Sequence, residues 1–148
     1  YFDDVAVAMG LATDSQLSQR IDEAIQALLA NQSSNGAFGL WYPDSGDLWL
    51  DAYVTDFLSQ AKRGGHRVPD IAFANAIDNL RNQVNYASDF DSGGQELSYA
   101  LMVLAREGAA QVGDLRYYAD EKAAAFTTPL GAAQLGAALA FYLAIPLI

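Results

Sequence analysis

Cysteine is absent from the 148 residues, and histidine occurs once, as His66. The first absence excludes disulfides, a thiol nucleophile and thiolate-bound zinc within this chain. The second leaves no cluster of imidazoles for a metal and makes a Ser-His-Asp triad a poor expectation. No cofactor and no metal are therefore expected. Positive charge is scarce as well: eight Lys and Arg stand against 18 Asp and Glu, for a formal net charge of −10. Such a surface repels a phosphate backbone, so neither nucleic acid nor an anionic membrane surface is an expected partner. A long charge-free stretch does occur, from Thr127 to the C-terminus, but Gly131, Gln134, Gly136, many alanines and Pro146 dilute it. It reads as a helix enclosed by other helices and not as a membrane span. The chain opens at Tyr1, with neither Met nor the basic-then-apolar start of a signal peptide, and reads as a piece of something longer.

What is present is a core-forming composition, 52% hydrophobic and only 18% charged, of a length that suits one domain or part of one. The apolar spacing predicts six or seven helices and almost no strand. Residues 3–11 read as the tail of a helix. Thr13 and Gln16 form a capping box before an amphipathic helix with Leu17, Ile21, Ala24, Ile25, Leu28 and Leu29 on one face. Asp47 is the expected N-cap of a helix that ends at Gly64-Gly65 and is apolar on nearly every side, hence buried. Pro69 opens a second amphipathic helix carrying Ile71, Phe73, Ala74, Ile77, Leu80 and Val84. Ser92 and Gln95 repeat the capping-box spacing and open another buried helix, residues 113–125 read as a polar amphipathic one, and Thr128-Pro129 cap and open the last apolar one.

Half-exposed and buried helices thus alternate. Buried ones start near residues 47, 94 and 128, half-exposed ones near 13, 69 and 112. This is the pattern of helical hairpins stacked as a solenoid or closed into a ring. The expected fold class is all-α, inner and outer helices alternating, as a solenoid or an α/α toroid. In such a ring the inner helices run parallel, and their N-terminal ends, with free N–H groups and positive dipole ends, gather on one face. That face is expected to present Asp47, Leu48, Trp49, Gly94, Gln95, Glu96, Thr127 and Thr128.

Candidate chemistry is thin. Gln32-Ser-Ser-Asn-Gly-Ala-Phe-Gly39, followed by Leu40-Trp-Tyr42, is the strongest local signal. A Gln just past a helix can bond neighbouring backbone while the aromatic fills the gap between hairpins, a structural use. The acidic pairs Asp3-Asp4, Asp44 with Asp47, Asp89 with Asp91 and Asp120-Glu121 could serve as acid and base or hold a divalent ion. Their positions at helix starts and in turns favour capping and solvation. Trp49, Tyr53, Tyr99 and Tyr142 are expected to fill a core more than to line a cavity, and His66 to lie in a solvated loop.

The segment Gly46-Asp-Leu-Trp-Leu-Asp-Ala-Tyr-Val54, followed by Asp56-Phe-Leu-Ser-Gln-Ala-Lys62, resembles the central helix of the thioester-containing domain in the alpha-2-macroglobulin and complement family. The loop of residues 32–42 precedes it at the family's spacing. Gly113-Asp-Leu-Arg-Tyr-Tyr-Ala-Asp120 and Thr128-Pro-Leu-Gly-Ala-Ala-Gln-Leu135 are similar to bacterial members. The four segments stand in the family's order along the whole chain. The resemblance implies that residues 1–148 are a single fragment of the thioester α/α toroid, about half of its helical hairpins. It also implies a parent that inhibits endopeptidases by trapping them once they cut a bait region, so that proteases are its targets and neighbouring domains of the same chain its contacts. Bacterial members imply a periplasmic or extracytoplasmic setting, often as inner-membrane lipoproteins.

The resemblance further implies a thioester between the Cys and Gln of a Cys-x-Glu-Gln motif, and this chain departs from the family there. It has no Cys, and the family places the motif shortly before the segment matching residues 1–10. No His stands near the segment matching residues 91–94, which implies direct attack by an amine on any thioester of the parent. The face with Asp47, Trp49, Gln95, Glu96 and Tyr99 is then the expected surface for sheltering a thioester or docking adjacent domains. The fragment is expected not to be an enzyme, and its unpaired apolar ends imply self-association or marginal stability of the isolated piece. The rival readings are a carbohydrate-active α/α-toroid hydrolase or lyase, for which two Trp are few, and a helical scaffold without chemistry.

Overall fold

A computed structural model describes residues 5, 7–10, 16–44, 46–87 and 91–144. Among these the chain is all-α. Six helices follow in order: α1 Leu17–Ala30, α2 Leu48–Arg63, α3 Asp70–Tyr86, α4 Gln95–Arg106, α5 Val112–Arg116 and α6 Pro129–Leu143. The predicted ends hold at several points. Asp47 accepts a hydrogen bond from Leu50 N at 2.9 Å, and Gly64 with Gly65 (φ +88°) closes α2. Thr128 Oγ1 accepts from Gly131 N at 3.1 Å, with Pro129 in the first turn of α6. Each cap satisfies a backbone N–H that the helix itself leaves without a partner. The expected box of Thr13 with Gln16, the helix tail over residues 3–11 and the Asp3-Asp4 and Asp89–Asp91 pairs fall wholly or partly outside the described residues.

The packing shows the alternation. Helix α4 lies against α2 on one side and α6 on the other, while α1 packs on α2, α3 on α2 and α4, and α5 on α6. Side-chain bonds give the directions. Ser59 and Arg63, at the end of α2, reach Glu107 just past the end of α4, and Ser98 near the start of α4 donates to Gln134 near the start of α6 at 2.9 Å. The inner helices α2, α4 and α6 therefore run parallel. Lys62 at the end of α2 pairs with Asp70 at the start of α3, so α3 runs antiparallel to them.

Two apolar clusters result. The larger joins α2 to α6 around Leu80, Leu97, Leu101, Leu104, Leu115 and Leu135; the smaller joins α1, the 32–42 loop, α2 and α3 around Ile25, Phe38, Val54, Leu58 and Ala76. Each buried aliphatic side chain contributes roughly 1.5–3 kcal/mol.

Five expectations are corrected. Helix α6 is not enclosed by other helices, since only Gly131, Leu135 and Ala138 of it are buried. Helix α2 is buried on one face only, through Asp51, Ala52, Val54, Thr55, Leu58, Ser59 and Ala61, while Trp49 and Tyr53 are exposed. No described element covers their side, and the two rings stack on each other instead, centroids 5.3 Å apart and 8° from coplanar. Helix α4 starts at Gln95 after a 3₁₀ turn, Asp91–Gly94, so Gln95 opens the helix where the capping box placed it a turn inside. Gly94 takes the N-cap position at φ +75°, a conformation that glycine adopts without strain. Residues 113–125 are not one helix: α5 runs into a π turn, Tyr117–Glu121, and then a 3₁₀ turn, Ala123–Ala125. The wider turn brings Tyr118 inward, edge-on to Phe126 with ring centroids 6.2 Å apart. In α3, Ile71 and Ala74 lie outside the buried face, which is Ala76, Ile77, Asn79, Leu80 and Val84.

Candidate functional site

The loop between α1 and α2 is clamped from two sides. Gln32 Nε2 donates to Ala72 O of α3 at 2.9 Å and to Gly36 O at 3.3 Å, so the structural reading of this glutamine holds. Phe38 is fully buried against α1, α2 and α3, which is the predicted plug. Gly36, at φ +91°, lets the loop backbone touch α3: a Cβ there would lie 2.1 Å from Asn75 O.

Asp51 makes the second clamp, and sequence reasoning missed it. Its carboxylate is 0% exposed, accepts from Phe38 N at 2.7 Å and from Asn79 Nδ2 at 2.9 Å, and takes a third bond from Gln83 Nε2. Burial pushes its carboxyl above the ordinary carboxylate value, against the three hydrogen bonds that favour the ionised form. One signal was available: a lone carboxylate inside the run Leu48-Trp-Leu-Asp-Ala-Tyr-Val54. A charge embedded in an apolar stretch has a specific partner or is not buried.

Beyond these clamps the loop turns Leu40, Trp41 and Tyr42 outward, with Trp41 86% exposed. A groove of about 230 Å³ runs between this tip and the start of α2, lined by Leu40, Trp41, Tyr42, Asp44, Asp47 and Leu50, with Phe38 beneath. The stacked pair Trp49 and Tyr53, 48% and 54% exposed, stands on the neighbouring side of α2.

The five residues expected on the inner-helix face sort as follows. Asp47 and Trp49 mark the start of α2, and Gln95 and Glu96 the first turn of the parallel α4, at the same end of the fold. The start of α6 joins them: a Cβ on Gly93 would meet Thr127 Oγ1 at 2.7 Å, so the α4 and α6 entries are in close contact. Asp47 and Glu96 place negative charge at positive helix ends. Tyr99 lies one turn deeper and faces α2 instead. Its hydroxyl donates to Asp56 Oδ2 at 2.8 Å, and burial together with that bond pushes the phenol well above its ordinary value. Asp56 also bonds Arg106, whose side chain is 6% exposed and also contacts Glu107. Tyr99 is thus part of an internal polar network between α2 and α4.

Elsewhere, Asp120 and Glu121 are exposed on the π turn, and Tyr142 is half-buried against the larger cluster. His66 differs from the expected solvated residue. Its side chain is 15% exposed, and Nδ1 stands 2.8 Å from Asp22 Oδ1, linking α1 to the α2–α3 loop. Among the described residues no group of three His, Cys, Asp or Glu is placed to hold a metal ion, and no helix is long and apolar enough to cross a membrane.

No family model matches the chain. Individual proteins do. It is 36% identical over 145 residues to alpha-2-macroglobulin of Escherichia coli strain K12, a match covering 89% of this chain and 9% of that protein. With alpha-2-macroglobulin of Xylella fastidiosa strain Temecula1 it shares 29% identity over 152 residues, covering 94% and 9%. Its fold is similar to that in the crystal structure of trypsin-activated E. coli alpha-2-macroglobulin, with a TM-score of 0.77 and 33% identity over 93% of this chain and 10% of that one. The chain thus spans about a tenth of the length of the curated relatives it matches. An all-α segment that follows one such protein in sequence over nearly its whole length, and in fold as well, has a settled affiliation: the chain belongs to the bacterial alpha-2-macroglobulin family.

Proposed function

We propose that residues 1–148 are a section of the thioester-containing α/α toroid of a protease-trapping inhibitor, acting outside the cytoplasm in the periplasm. The observation that carries this reading is the 36% identity to E. coli alpha-2-macroglobulin over 89% of the chain, joined to a solved relative in its trypsin-activated state. Parallel inner helices with outer helices on their flanks suit a toroid segment. So does α6, which leaves Leu130, Phe141 and Leu143 exposed, as an inner helix does where a further hairpin would follow.

On this reading the chain does no chemistry of its own. It holds no Cys, so the thioester sits outside it. Its part is to present the end of the fold carrying Asp47, Trp49, Gln95 and Glu96, with the Leu40–Trp41–Tyr42 tip beside it, as a docking face that shelters the thioester and meets neighbouring domains. Tyr99 supports that face from within. Exposed aromatics on a clamped loop are suited to this, because a patch held in place loses little entropy on docking. A carbohydrate-active reading would need Asp44 and Asp47 as acid and base, but Asp47 is engaged as the cap of α2.

Incubating the full-length protein with trypsin tests the proposal. Trapping predicts a covalent high-mass species in denaturing gels and trypsin that still cleaves a small chromogenic substrate but not a protein substrate. Trypsin that keeps full activity on the protein substrate contradicts it.

A further inference from the structure

We propose that the groove between the Leu40–Trp41–Tyr42 tip and the first turn of α2 receives a cationic side chain, a lysine or an arginine, carried by a segment of a partner protein. The inference names a partner chemistry for the docking face and rests on that reading.

The groove selects by composition. Its wall combines the exposed rings of Trp41 and Tyr42 with the carboxylates of Asp44 and Asp47, and no described Lys or Arg lines it. Aromatic faces carry negative charge density and attract a cation across the ring, while a carboxylate at the rim pairs with it directly. An aliphatic partner would gain from the rings but would leave the negative charge of the two carboxylates unanswered. An acidic partner would be repelled. So would a second copy of a chain whose formal net charge is −10. A volume of about 230 Å³ suits one long side chain and not a helix.

The floor of the groove and its α2 side are anchored. Asp47 is held by Leu50 N, and the loop beneath the tip is fixed by Gln32 on Ala72 O and by Asp51 on Phe38 N. A site whose walls are already positioned spends less of its interaction on ordering them.

The test titrates the full chain with a capped five-residue peptide bearing one central arginine, and with the same peptide bearing citrulline. The readouts are tryptophan fluorescence and the Trp41 indole NMR signal. The arginine peptide should shift the Trp41 signal and bind at least about tenfold more tightly than the citrulline peptide. Changing Asp44→Asn and Asp47→Asn together should weaken it by a similar factor while leaving the helical circular dichroism unchanged, because Asn caps α2 as Asp does. Trp41→Ala should abolish the shift. Equal binding of the two peptides, or undiminished affinity in the double variant, overturns the cationic occupant while the docking face stands. Dimerisation that disappears in Trp41→Ala assigns the groove to a second copy and overturns it too. Absence of binding by either peptide also overturns it. If Trp49→Ala then leaves the thioester lifetime of the full-length protein unchanged, the docking-face reading falls as well.

Discussion

Replacing Asp51 with Ala removes the acceptor for three donors at once, two of them deeply buried. Phe38 N, in a residue 1% exposed, and Asn79 Nδ2, in a residue 7% exposed, would be left without partners, while the half-buried Gln83 can turn towards water. A buried polar group stripped of its partner costs about 1–3 kcal/mol. Two of them, less the relief of no longer burying a charge, give a net loss of about 2–4 kcal/mol, or a Tm lower by roughly 5–15 °C at this chain length. Asp51→Asn should behave differently. Its carbonyl can still accept from Phe38 N, and its amide can donate to Asn79 and Gln83 once their amides flip, so the loss should stay below about 1 kcal/mol.

The pH dependence separates the two effects. Because burial makes the folded state hold the Asp51 proton more tightly than an ordinary aspartate does, the proton's stabilising contribution is fully present below the ordinary aspartate range and is lost as pH rises through the higher folded value. Wild type should therefore gain on Asp51→Asn as pH falls through that window. Urea unfolding followed at 222 nm, at neutral pH and across the acid range, measures all three proteins. Asp51→Ala within about 0.5 kcal/mol of wild type would refute the clamp, and a gap to Asp51→Asn that moves against wild type on acidification would show that the three hydrogen bonds outweigh burial.

Other positions give sharper single outcomes. Gly36→Ala puts a Cβ against the Asn75 carbonyl at a positive φ, so it should cost about 2 kcal/mol or more and raise amide exchange across residues 32–42. Arg106→Ala takes one cation from Asp56 and Glu107, which keep Tyr99 and Arg63 as partners, and should lower stability by about 1–3 kcal/mol in denaturant unfolding. Tyr99→Phe should cost about 1 kcal/mol through its lost bond to Asp56. In a spectrophotometric titration at 295 nm its phenol should be among the last to ionise, because burial and Asp56 hold it up.

The sequence was most legible where a local rule matched its surroundings. Asp47, Thr128-Pro129 and Gly64-Gly65 are caps whose geometry depends on a few neighbouring residues, and the Gln32 and Phe38 roles follow from a turn joining two hairpins. The side-chain bonds bear out the parallel run of α2, α4 and α6, whereas the apolar composition of α2 and α6 overstated their burial, which is confined to one face of each. Trp49 and Tyr53 were misplaced because an apolar side chain is buried only if something stands opposite it, and the described helices occupy just one side of α2. The break after Arg116 was hidden for a different reason: a π turn keeps helical composition and changes only the register. Asp51 and its partner Asn79 escaped because their pairing spans 28 residues, beyond the reach of any local rule.

The proposed thioester-dependent protease trap is checked by the intact mass of the full-length protein before and after methylamine. A live thioester predicts a gain of one methylamine, with one newly titratable thiol appearing in step. Folded, freshly prepared protein that gains neither mass nor thiol would contradict it.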